Sequence, residues 1–455
     1  MAKKIFEKIV EAPADVLGKG IEEAVKVEKK LSQEKPVKMA KKYWHVLGPG
    51  LTTGAADDDP SGIATYSQTG AKYGFQLLWL APLTLPLMAV IQEMCARIGM
   101  VTGRGLAANI RRHYPRWVLY FCAGLLFFAN TFNLGADLGM MAKTTQLLFP
   151  RLAFAALVVG FALLSLALQI FISYERYSRY LKYLALALLC YVFSALSVKL
   201  DWSEIFKHSF LPNFNFSKEQ IFLICGILGT TISPYLFFWQ TSQEVEEEIK
   251  DGKTKIEARQ GVSGKELKNM RIDVWSGMIF SNAAMFFIIV ACAGTLFVNG
   301  LTNINTAQEA ALALRPFAGN FAYLLFALGI IGVGLLGVPI LAGSASYALS
   351  ESFGWRHGLY RKLKQASAFY GVIIISVLAG LLMNFIGLDP IKTLIYAAVL
   401  NGIIAPVIMI LIVGISSDKN IMGERANGPL VKIIGWLTIL IMSAVGISVV
   451  IGFLI

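Results

Sequence analysis

The residues of this chain best suited to chemistry are three consecutive carboxylates followed by a helix breaker, Asp57-Asp58-Asp59-Pro60-Ser61-Gly62, set in an otherwise apolar stretch. A charged side chain at bilayer depth costs roughly 2.5–3.5 kcal/mol even on the lenient insertion scale, so such groups mark a functional pathway. Pro60 removes a backbone donor and Ser61-Gly62 favours irregular backbone, which leaves carbonyls free to face a ligand. A second interruption, Ile232-Ser233-Pro234, lies in a later apolar segment, flanked by the hydroxyls of Thr230 and Thr231. Paired interruptions in matching positions of two halves point to the binding site of a secondary transporter. Asp59, immediately before Pro60, is the expected direct ligand. Asp57 and Asp58 point elsewhere at about 100° per residue, one toward the site or its inner vestibule and the other toward a polar partner. Thr230 and Ser233 offer hydroxyl and carbonyl oxygens, donors that suit hard cations.

Histidine is informative by position: His45, His113, His208 and His357 fall in tails, loops or span edges, so no imidazole is placed to relay protons through the centre. Asp137 is the one other central acid, and Met140, one turn later, adds no carboxylate beside it. Asn130, Asn133 and Asn401 are buried polar candidates that serve equally as contacts between helices.

The elements that must hold these residues are membrane helices. With 56% hydrophobic and 15% charged residues over 455 positions, and a mean hydropathy of +0.61, the chain is too apolar for a water-soluble protein of this size. Eleven apolar runs of spanning length can be marked, at 46–70, 73–98, 117–142, 152–172, 180–198, 220–241, 274–298, 320–350, 368–387, 393–415 and 431–454. Cys95, Cys122, Cys190, Cys225 and Cys292 all fall in them without paired or metal-type spacing, and read as core thiols.

The net charge of +12 follows the membrane and not nucleic acid. If the N-terminus is cytosolic, eleven crossings put thirty-three Lys and Arg on the cytosolic side and seven outside, with Lys143 uncounted at a span end. A basic cytosolic tail (1–45) and an extracellular C-terminus follow. Five spans over 46–198 and five over 220–415 form halves that, each holding an odd number of spans, lie in opposite orientations. The span at 431–454 is an addition. This is an inverted repeat. In the long loop after the sixth span, Glu244, Glu246, Glu247 and Glu248 read as a solvated helical face, and Glu93 with Arg97 as a local ion pair.

Gly48-Pro49-Gly50, Asp59-Pro60, Gly70-Ala71-Lys72-Tyr73-Gly74, Ala96-Arg97-Ile98-Gly99 and Val101-Thr102-Gly103-Arg104 resemble the Nramp family of divalent metal transporters, as do Gly387-Leu388-Asp389-Pro390 and Ser417-Asp418 further on. The resemblance implies a LeuT-like, all-α polytopic fold with broken first and sixth helices. It also locates departures. Ser61 and Gly62 stand where the family has Gly and a metal-binding Asn; Ser233 stands at its metal-binding Met and Thr230 at the Ala before it. Tyr235 and Gln240 replace two histidines, Met140 a glutamate, and Ala398 a tenth-span glutamine. Losing the thioether removes a means of rejecting Mg²⁺, an ion that binds through one or two carboxylates while keeping several waters. The substitutions resemble those of the Nramp-related magnesium transporters, a divergent branch. The expected site is Asp59, Gly62, Thr230 and Ser233, with Asp58 beside them. The expected protein is a monomeric, multi-pass cell-membrane transporter of Mg²⁺, with Mn²⁺ next, in the lipid bilayer. It is not an enzyme, needs no cofactor, and is not coupled to protons. The competing expectation is a small organic or anionic solute on the same fold.

Overall fold

The computed structural model describes residue 43 and residues 47–172, 188–213, 215 and 217–454. Apart from Tyr43, the expected basic tail lies outside the described residues, as does the first part of the fifth expected span. Among the described residues every regular element is helical.

Proline, placed where a helix has no use for its missing N–H, sets the starts. In the first broken pair α1 (Pro49–Asp57) is followed by α2 (Pro60–Tyr73), with Pro60 in the first turn and Asp59 as cap. Then come α3 (Leu80–Thr102), α4 (Leu106–His113), α5 (Arg116–Leu148) and α6 (Phe154–Phe171). The second broken pair is α7 (Lys218–Thr231) and α8 (Pro234–Lys250), again with proline in the first turn. The chain ends with α9 (Gly264–Cys292), α10 (Ala322–Phe353), α11 (Ser367–Met383), α12 (Pro390–Ser417) and α13 (Pro429–Leu454). Asp389 caps α12 through the Lys392 amide at 3.0 Å.

Eight helical stretches among the described residues are long and apolar enough to cross a membrane, with α7 and α8 counted together. The pair α1–α2, interrupted and carrying three carboxylates, is not among them. α6 and α13 expose Leu163, Phe171, Leu440 and Leu454 at their outer faces, side chains suited to hydrocarbon. The five cysteines are free thiols, and all but the half-buried Cys190 are buried.

Backbone contact between α1 and α9 fixes the first broken helix. A Cβ added to Gly277 would stand 2.1 Å from the Gly50 carbonyl oxygen, and one added to Gly54 would stand 2.2 Å from the Gly277 carbonyl oxygen. Only hydrogen fits, as at other close crossings of membrane helices. Asp273 of α9 then closes the start of α1, its carboxylate accepting from the Gly50 amide at 2.7 Å and the Leu51 amide at 3.1 Å. Gly277→Leu is therefore expected to lower the temperature at which the protein loses monodispersity in detergent. Overpacking of this kind costs about 1–3 kcal/mol and more against backbone. Gly160→Leu in α6, where nothing lies within 4 Å, provides the comparison. Equal stability of the two variants would disprove the close approach.

One expectation from the sequence is corrected and another is extended. Glu244, Glu246 and Glu248 are buried, not solvated, because α8 runs on as one helix and turns them toward its neighbours. Glu246 accepts from the Tyr347 hydroxyl at 2.7 Å and the Leu359 amide at 2.9 Å, and Glu244 from the Gln240 amide at 2.8 Å. The expected Glu93–Arg97 ion pair is present at 4.0 Å, and Arg271 of α9 also reaches Glu93, at 2.9 Å, while the Trp275 indole donates to it at 3.0 Å. The carboxylate thus joins α3 to α9, and Arg97 also donates to Asn427.

Candidate functional site

Each interruption consists of the pair of residues ahead of a proline, Asp58-Asp59 in one and Ile232-Ser233 in the other. Asp59 has extended backbone (φ −63°, ψ 174°), which carries its side chain back over the start of α2. Its Oδ1 accepts from the Gly62 amide at 2.9 Å and the Ser61 hydroxyl at 2.5 Å. Its Oδ2 accepts from Asn133 Nδ2 at 2.8 Å, and the Tyr235 hydroxyl stands 3.5 Å away while donating to the Ala56 carbonyl at 2.8 Å. Tyr235 therefore ties α8 to the freed end of α1.

Asn133 and Asp137 lie one turn apart on α5. Both Asp137 oxygens are buried without a hydrogen-bond partner, as is Asn133 Oδ1. A Cβ on Gly337 of α10 would stand 3.2 Å from Asp59 Cβ and 3.6 Å from Asp137 Oδ2. The two carboxylates thus flank one bare stretch of α10, whose lack of a side chain leaves space between them. Asp57, Asp58, Asp59 and Asp137 are all sealed from solvent. Among the described residues no Lys, Arg or His forms a salt bridge with any of them. A cluster of buried carboxylates with no basic partner attracts cations and repels anions.

The residues expected from the sequence divide into two groups. Gly62 and Thr230 meet: a Cβ on Gly62 would lie 3.0 Å from Thr230 Oγ1 and 3.1 Å from the Asp57 carbonyl oxygen. The space that glycine leaves beside Asp59 is thus partly filled by threonine. Ser233 is at the second break, but its hydroxyl donates to the Gly229 and Thr230 carbonyls, each at 2.7 Å, and so serves its own helix end. Asp57 accepts from Ser281 of α9 at 2.5 Å, the polar partner expected for one of the leading acids, and both Asp58 oxygens lack a partner. Among the described residues no three His, Cys, Asp or Glu side chains are grouped as a metal-holding cluster. Any ion here would be held by few carboxylates, by hydroxyl and carbonyl oxygens, and by water.

Asn133, Asp137, Tyr235 and Gly337 are absent from the site expected from the sequence. The spacing of Asn133 and Asp137 on one helix face was a usable signal. Gly337 gave none, because its contribution is an absence of atoms. Asn130 serves as a contact between helices, donating to the Leu341 carbonyl and the Ser344 hydroxyl.

Solved structures of similar fold include the manganese transporter of Eremococcus coleocola in complex with an aromatic bis-isothiourea substituted compound. It is 17% identical over 90% of this chain and 87% of that one, with a TM-score of 0.71. Mhp1, a nucleobase-cation-symport-1 family transporter in a closed conformation with bromovinylhydantoin bound, is 13% identical over 89% of this chain and 91% of that one, with a TM-score of 0.55. Both carry the LeuT-like fold, and the helix order and paired breaks described above are those of that fold. The sequence profile of the Nramp family, natural resistance-associated macrophage protein-like, matches residues 50–452, nearly the whole chain. That match runs from α1 to α13, and this chain belongs to the Nramp family.

Proposed function

We propose that this protein is a facilitator of divalent metal cations, Mg²⁺ before Mn²⁺, which it binds with much of their water and moves without obligatory proton coupling. The observation that carries the reading is the setting of Asp59, a buried carboxylate at a helix break that accepts from the Gly62 amide, the Ser61 hydroxyl and Asn133 and lies beside a second buried carboxylate, with serine and not methionine at the second break. Few carboxylates with several retained waters is the binding mode of Mg²⁺. The manganese transporter among the structural neighbours supports a divalent cargo, and the loss of the thioether at position 233 favours the harder ion. We assign Asp59, Gly62, Thr230 and Ser233 to this position, with Asp58 close by. A small anionic solute is disfavoured by four buried aspartates without a basic partner.

The protein would act as a monomer in the cell membrane, without a cofactor. The charge distribution supports a cytoplasmic N-terminus and an extracellular C-terminus, and repeats at 46–198 and 220–415 with an added span at 431–454. The ion would enter down the membrane potential, worth about 2.3 kcal/mol per charge per 100 mV.

Uncoupled movement is supported by the groups in the coupling positions. Tyr235 donates to a backbone carbonyl, Gln240 donates to Glu244, and Met140 cannot titrate. In liposomes holding a pH-sensitive dye, an inward Mg²⁺ or Mn²⁺ gradient should give ion uptake with no internal acidification. Acidification that depends on the metal gradient and disappears in Asp137→Asn would overturn the uncoupled mechanism.

A further inference from the structure

At each break, proline deprives one carbonyl of its helical donor. In a continuous helix the Ala56 carbonyl would accept from the amide of residue 60 and the Thr230 carbonyl from that of residue 234, and both positions are proline. Carbonyls freed in this way at a break are the ones an ion there would take as ligands. Each is met by a side-chain hydroxyl instead. Tyr235 donates to the Ala56 carbonyl at 2.8 Å, and Ser233 to the Thr230 carbonyl at 2.7 Å, with the Gly229 carbonyl equally near. Ala56, Thr230, Ser233 and Tyr235 are all buried. A buried carbonyl without a donor is costly, and the two hydroxyls remove that cost.

Both hydroxyls come from the start of α8, where Ser233 is the cap residue and Tyr235 follows Pro234 in the first turn. Ser233 serves its own break, whereas Tyr235 reaches across to the other. The phenolic oxygen stands 2.8 Å from the Ala56 carbonyl oxygen and 3.5 Å from Asp59 Oδ2. It therefore occupies ground that an ion bridging that carbonyl and that carboxylate would need.

We infer that Tyr235 and Ser233 are specificity-determining residues: they withhold the two proline-freed carbonyls from the ion, which keeps water in their place. The inference rests on the reading of Asp59 as the position of a divalent cation, and it supplies the reason that the ion stays hydrated there. Mg²⁺ gives up water reluctantly, so a site that does not press carbonyl ligands on it holds it without that penalty. An ion that dehydrates more readily gains nothing from the arrangement.

The waters on Mn²⁺ bound to the purified full-length protein, counted by pulsed electron–nuclear double resonance in isotopically labelled water, test this. Tyr235→Phe removes the hydroxyl and keeps the ring. Its bound ion should exchange a water for the Ala56 carbonyl, and competition titration should show the Mn²⁺ to Mg²⁺ preference rising by roughly tenfold. Ser233→Ala, a second variant in case the first does not fold, should act in the same direction through the Thr230 carbonyl. If both variants keep the parent's water count and ion preference and lose only thermal stability, the hydroxyls merely tie helix ends together. That result would overturn the inference and leave the divalent-cation reading standing. No Mn²⁺ bound by the parent, or bound Mn²⁺ that is unaffected by Asp59→Asn, would overturn the reading itself.

Discussion

Asp59→Ala should abolish measurable binding of Mg²⁺ and Mn²⁺ at the central position while leaving a folded, monodisperse protein. Removing one charge from a buried, compensated pair costs about 3–5 kcal/mol, which at about 1.4 kcal/mol per decade is a loss of roughly a hundredfold or more in affinity. The structural cost is smaller. Asp59 caps α2 through the Gly62 amide, and loss of such a cap costs typically about 1 kcal/mol. Asn133 and Ser61 also lose an acceptor, so a modest fall in thermal stability should accompany the loss. Asp59→Asn keeps the size of the side chain and should separate charge from packing. Calorimetric titration distinguishes the outcomes, and a variant with parent-like Mg²⁺ affinity at that position would show that the ion sits elsewhere.

The second large effect is expected in selectivity. Gly62 and Thr230 act as a pair: a Cβ on Gly62 would stand 3.0 Å from Thr230 Oγ1 and 3.1 Å from the Asp57 carbonyl oxygen, so a larger side chain at 62 needs the threonine to give way. The family pattern described above, Asn at 62 with Ala at 230, and this chain's Gly with Thr are alternative ways of filling one space. Gly62→Asn alone should therefore strain the break, whereas Gly62→Asn, Thr230→Ala and Ser233→Met together should be accommodated. The combined variant replaces a hydroxyl by a thioether, a donor that favours Mn²⁺ over Mg²⁺. Competition titrations should show the Mn²⁺ to Mg²⁺ preference rising by roughly tenfold or more, the effect of about 1.4 kcal/mol. An unchanged ratio in a stable triple variant would remove these positions from the site.

What could be read from the sequence follows from which interactions are local. The breaks were legible because proline acts on its own backbone and the one before it, and both appear where Pro60 and Pro234 predict. The capping of α2 by Asp59 is equally local, but the sequence was read for Asp59 as a ligand and not as a cap. Eight of the eleven expected spans were legible among the described residues because membrane depth dictates their length. The burial of Glu246 was not, since it depends on Tyr347 and Leu359, more than 100 positions away. Nor was Arg271 as a second, closer partner of Glu93, which depends on α3 meeting α9. The neighbourhood of Asp59 and Asp137 required knowing that α5 and α10 meet at Gly337. A charge pattern shows that such groups need partners without showing which helix supplies them.

The central claim is that the Asp59 break carries a hard divalent ion across the membrane. Its most direct test is Mg²⁺ uptake into proteoliposomes containing a magnesium-sensitive dye, driven by an inside-negative potential. Saturable Mg²⁺ influx that Mn²⁺ competes with, and that is lost in Asp59→Ala, is the result predicted. Mn²⁺ influx with no Mg²⁺ influx under the same potential, or Mg²⁺ influx that survives Asp59→Ala, would contradict it.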